Sequence, residues 1–89
     1  MIEREVLISN KLGLHARASA KLVQLLQGFK TEAFLVYRGR EVNAKSIMGV
    51  MMLAAGVGNT ILLRTDGEEE ASAMDALVDL FARKFDEGA

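Results

Sequence analysis

Apolar and polar positions change period several times along the chain, and each change marks an element. From Ile2 to Ile8 the residues alternate, with Ile2, Val6 and Ile8 on one face, which predicts a strand. From Ala16 to about Gln27 the period becomes helical. Leu22, Val23, Leu26 and Phe29 follow the i, i+1, i+4, i+7 spacing of a single face. Gly28 lies just past that helix, where a left-handed C-cap is expected. Glu32 to Tyr37 and a brief run to about Asn43 flank Arg38-Gly39-Arg40, the pattern of a hairpin. Ile47 to Leu53 is a short helix candidate with Ser46 at its N-cap. Thr60 to Thr65 predicts a last strand, broken by Asp66-Gly67. Met74, Leu77, Val78, Phe81 and Phe85 form one apolar helix stripe. Glu68, Glu69 and Glu70 at its start, with Arg83 and Lys84 near its end, complement the helix dipole.

The predicted order is β-α-β-β-α-β-α. Three amphipathic helices and half-polar strands share a core only if the helices cover one face of a small sheet, an α+β arrangement. With 89 residues, positions 1–89 form a single domain. The balance of 51% hydrophobic and 26% charged residues is that of a globular chain. Its apolar runs fall well short of the ~20 residues that span a membrane. The opening Met-Ile-Glu-Arg-Glu-Val carries charge where a signal peptide needs an apolar core. A soluble, cytoplasmic protein is expected.

The absence of cysteine excludes disulfides, thiol nucleophiles and zinc-thiolate sites. One histidine excludes a His-rich metal centre, and neither a metal nor a cofactor is expected. The net charge of -1 argues against nucleic acid as the main partner. Charge is unevenly distributed, however. Residues 1–45 hold eight Lys/Arg against four Asp/Glu, and residues 46–89 hold three against eight. His15 lies in the basic half, which suits an acidic partner or a phosphate.

His15 directly precedes the first helix, at the position where Ser, Thr, Asp or Asn would supply a capping oxygen. A residue that breaks a local rule is a candidate functional site. The free N–H groups and positive end of the helix dipole disfavour imidazolium and suit bound phosphate oxygens. Arg17 can contact that phosphate, and Lys21, one turn on, extends the positive face. On this local pattern alone, a solvated loop histidine beside an arginine is the commoner reading. No second acid or base accompanies His15, so a carrier is favoured over an enzyme, with a partner supplying the remaining catalysis.

The segment Asn10-Lys11-Leu12-Gly13-Leu14-His15-Ala16-Arg17-Ala18-Ser19-Ala20-Lys21-Leu22 resembles the active-site segment of the HPr family. These are the histidine-containing phosphocarriers of the bacterial phosphoenolpyruvate-dependent phosphotransferase system. Asn43-Ala44-Lys45-Ser46-Ile47-Met48-Gly49-Val50-Met51-Met52-Leu53 resembles the family's second signature, around a regulatory serine. The resemblance implies an open-faced sandwich of four antiparallel strands and three helices. It implies that His15 accepts a phosphoryl group on Nδ1 from enzyme I, originally from phosphoenolpyruvate, and donates it to enzyme IIA domains. It assigns phosphate stabilisation to Arg17. The family commonly has proline after His-Ala-Arg, and this chain has Ala18 there. Alanine keeps the helix but leaves its first turn less rigid.

Ser46 has two readings, a plain N-cap or, by resemblance, a residue phosphorylated by an HPr kinase/phosphorylase. The second helix is apolar nearly all round. Val50 and Leu53 are expected inward, leaving Ile47, Met48 and Met51 exposed. With Ala16, Ala20 and Lys21 these form the expected partner surface, since flexible methionines suit a carrier with several partners. The chain is expected to be a monomer. Two alternatives stay open: a regulatory adaptor governed by Ser46, and a nitrogen-branch phosphocarrier.

Overall fold

The computed structural model describes residues 1–87. Its elements are β1 (Ile2–Leu7), α1 (Ala16–Gln27), β2 (Glu32–Tyr37), β3 (Arg40–Asn43), α2 (Ile47–Met52), β4 (Thr60–Asp66) and α3 (Glu70–Ala82). The four strands form one antiparallel sheet in the order β1-β4-β2-β3. β4, the last strand in sequence, therefore inserts between the first two. Val6 stands opposite Ile61, and Leu35 opposite Leu63.

Alternation decides which side of the sheet is covered. Ala33, Leu35 and Tyr37 of β2 and Ile61, Leu63 and Thr65 of β4 are buried. Phe34, Val36, Leu62 and Arg64, on the other parity, are half-buried. Successive strand residues point to opposite faces, so one face carries the core and the other stays open. α1 contributes Ala18, Leu22, Val23 and Leu26 to that core, and α3 contributes Ala73, Met74, Leu77, Leu80 and Phe81. α1 packs against both α2 and α3. The result is the expected open-faced α+β sandwich.

The β2–β3 hairpin closes through Arg38 and Gly39, at φ 50° and 77°. Positive φ at both central positions matches the right-handed twist of the flanking strands. Two local expectations are corrected. Gly28 is right-handed, at φ -80° and ψ -2°, not left-handed. The last turn of α1 tightens instead, as the Gly28 and Phe29 N–H groups donate to Leu25 and Leu26 carbonyls three residues back, so no positive φ is required. Phe85 does not lie on the stripe of α3, because that helix stops at Ala82. It is fully buried all the same, reached by a different backbone path.

Candidate functional site

The loop between β1 and α1 is fixed by short contacts. Gly13 N–H donates to the Asn10 carbonyl at 3.1 Å, and Leu14 N–H donates to the Ala55 carbonyl at 3.0 Å. Gly13 has φ +65°, and a Cβ there would lie 2.6 Å from the Ala55 oxygen. Only glycine fits both the dihedral and the space. His15 follows in extended conformation as the N-cap of α1, and its side chain makes no capping hydrogen bond. The Ser19 N–H donates to the His15 carbonyl at 2.8 Å. The N–H groups of Ala16, Arg17 and Ala18 precede it, in the first turn where a helix has no internal acceptors for them.

The imidazole turns toward the C-terminal residues. His15 Nε2 lies 2.5 Å from Glu87 Oε2, while the other Glu87 oxygen accepts from Asn10 Nδ2 at 3.3 Å. An ionised carboxylate only accepts, so the proton of this contact belongs on Nε2. In the neutral ring that leaves the lone pair on Nδ1. A carboxylate thus faces the ring in addition to the helix terminus.

Glu87 reaches this place through an unusual turn. Lys84, Phe85 and Asp86 all have positive φ, at 56°, 55° and 60°. Consecutive left-handed residues other than glycine are costly and need tertiary support. Phe85 supplies it, fully buried and edge-on to Phe81 at 4.9 Å between ring centres. Lys21 adds to it, because its Nζ donates to the Phe85 carbonyl at 2.8 Å and lies 3.8 Å from Asp86 Oδ2. Lys21 thus secures the C-terminal turn as well as lining the site. Arg17 is exposed and has no ion pair among the described residues.

His15, Lys11, Arg17, Lys21, Asp86 and Glu87 line one open cleft of about 830 Å³. His15 lies in the basic half of the chain, and the acidic half folds back to place two carboxylates in the same cleft. Burial acts to raise the Glu87 pKa, but hydrogen bonds from His15 and Asn10, with the charges of His15 and Lys21, outweigh it and hold the carboxyl below its ordinary value. A depressed carboxylate stabilises the fold above its unfolded pKa, near 4.3, and loses that contribution as pH falls through the folded value. Glu87→Gln is therefore expected to lower Tm at pH 7. Its difference from the parent should shrink below about pH 4.3 and vanish in stronger acid, as scanning calorimetry would show.

On the neighbouring surface, Ser46 caps α2, its Oγ accepting from the Gly49 N–H at 3.1 Å. Val50 and Leu53 are buried, and Ile47, Met48 and Met51 are exposed. Met52 joins them at 59% exposure, held near the hairpin by Arg40, whose guanidinium donates to the Met52 carbonyl at 3.3 Å. On α1, Ala16 is exposed and Ala20 half-buried. Because α1 packs on α2, this apolar surface adjoins the helix that His15 caps.

The family model described as the PTS HPr component phosphorylation site matches residues 2–83. The chain belongs to the HPr family. It is 59% identical over 88 residues to the phosphocarrier protein HPr of Cupriavidus necator, covering 99% of each chain. Its fold matches the crystal structure of HPr-C-His from Thermoanaerobacter tengcongensis with a TM-score of 0.94 and 44% identity, over 98% of both chains. A dimer of HPr from the same organism matches at 0.76, over 96% of this chain and 98% of that one. The expected monomer therefore gains no support from this neighbour. Family membership places the chain among the phosphocarriers of the phosphotransferase system.

Sequence reasoning does not single out Lys11, Leu12, Asp86 and Glu87, which line the cleft, or Met52 beside the other exposed methionines. Leu12 is 66% exposed at the lip of the cleft, and an apolar residue in a polar loop was its available signal. Nothing local marks Glu87, which is 72 residues from His15 in sequence.

Proposed function

We propose that this member of the HPr family accepts a phosphoryl group on His15 Nδ1 from enzyme I and passes it to a histidine on an enzyme IIA domain. The observation that carries the proposal is the placement of His15, at the head of α1 with Nε2 engaged by Glu87. The Nδ1 lone pair attacks phosphorus, and an N–P bond forms as the bond from phosphorus to its leaving group on enzyme I breaks. The bonding electron pair departs with that group. First-turn N–H groups and the Arg17 guanidinium then face the phosphate oxygens. Glu87 offsets the charge of a ring that is phosphorylated on Nδ1 and protonated on Nε2, a state in which the ring is a good leaving group. Onward transfer reverses the bond changes. Radiolabelled phospho-protein mixed with each enzyme IIA domain of the host should lose its label to at least one of them. Retention of label against all of them would remove the donor half of the proposal.

Ile47, Met48 and Met51, with Ala16, Ala20 and Lys21, form the docking surface in this reading. It places the protein in the cytoplasm, where such a relay operates. Ser46 is the proposed regulatory site, modified by an HPr kinase/phosphorylase. Its phosphate would add about -1.5 to -2 charge beside the docking surface and repel an acidic partner. Phospho-Ser46 is expected to fold normally and to accept phosphate from enzyme I more slowly, and equal rates would count against it. The capping role has a separate size. Ser46→Ala should cost about 1 kcal/mol in urea unfolding, and no change would show the cap to be idle.

A further inference from the structure

Asn10 takes no part in the transfer just described, yet its polar side chain is buried beside the site, at 1% exposure. Both hydrogens of its amide are committed. Nδ2 donates to the Gly13 carbonyl at 2.7 Å and to Glu87 Oε1 at 3.3 Å. Turning the amide over would set its oxygen against two acceptors, so the chemistry of the neighbours fixes its orientation. That orientation leaves Asn10 Oδ1 buried with no partner among the described residues. An unsatisfied buried acceptor is expensive, and its retention points to a use for the two donors.

The two donors join separate parts of the chain. One holds the turn that delivers His15, and the other holds the carboxylate that touches His15 Nε2. We infer that Asn10 is a positioning residue for phosphoryl transfer: through Glu87 it keeps the imidazole proton on Nε2 and the Nδ1 lone pair open to attack. The inference rests on the proposed role of His15. The logic is that of histidine ligands in metal sites, where an outer hydrogen-bonding partner sets which ring nitrogen is available.

The test reads the ring as well as the rate. In ¹⁵N-labelled protein at alkaline pH, the ring nitrogen shifts should report the Nε2–H tautomer. Asn10→Ala should move them toward a tautomer mixture. It should also slow acceptance from phospho-enzyme I by about tenfold, the low end for loss of an outer partner. In a Glu87→Ala background the same substitution should leave the ring shifts unchanged, because its path to the ring through Glu87 is already cut, and should cost clearly less in rate, since only its bond to the Gly13 turn is then lost. Unchanged ring shifts in folded Asn10→Ala, or an equal rate loss in the Glu87→Ala background, would overturn the inference. If Asn10→Ala does not fold, Asn10→Ser retains a hydroxyl for the Gly13 carbonyl and is too short for Glu87, and the same readouts decide. The tautomer is measured without enzyme I, so failure of the carrier function is distinguishable from failure of the positioning role.

Discussion

His15→Ala abolishes phosphoryl acceptance from enzyme I while the protein remains folded: that is the largest effect expected of any single substitution. No cysteine and no second histidine exist to take over. The helix terminus and Arg17 would still attract a phosphate, but they have no nucleophile to offer it. The fold should tolerate the loss. The His15 side chain is 26% exposed and its imidazole contributes one hydrogen bond, to a carboxylate that water can partly resolvate. Tm should fall by about 8 °C, well short of unfolding the domain at room temperature. Phosphorylation of the variant by enzyme I at undiminished rate would show that another residue is the acceptor.

The second large effect is expected at Phe85, and it concerns stability first. Phe85→Ala removes a fully buried ring that packs edge-on to Phe81. Large-to-small changes of this kind cost about 3 kcal/mol or more. For a domain of this size that lowers Tm by about 15 °C. The same ring supports the left-handed turn that brings Glu87 to His15. The variant should therefore also lose the Nε2–Glu87 contact, and the pH dependence of its stability should approach that of Glu87→Gln. A Tm shift of only a degree or two, with the contact intact, would mean that the turn holds without its anchor.

These two residues mark what the sequence disclosed and what it concealed. His15 stood out because it broke a capping rule, and caps are local. Ser46, Val50 and Leu53 were legible for the same reason, since a six-residue helix has few ways to divide its apolar faces. Phe85 was correctly read as core and wrongly placed on a continuous helix. Burial follows from hydrophobicity, whereas the path to it turns on left-handed dihedrals at Lys84, Phe85 and Asp86 that no propensity favours. Glu87 and the second role of Lys21 depend on contacts 72 and 64 residues apart, invisible to any periodic pattern. The half-chain charges are informative only in part, for a related reason. They placed positive charge near His15 correctly, but chain topology returned Asp86 and Glu87 to the same cleft.

The central claim is tested most directly by incubating the protein with enzyme I and isotopically labelled phosphoenolpyruvate, then locating the label. One acid-labile phosphate is expected, on His15 Nδ1. Absence of label, or label confined to an acid-stable site such as a serine, would contradict it.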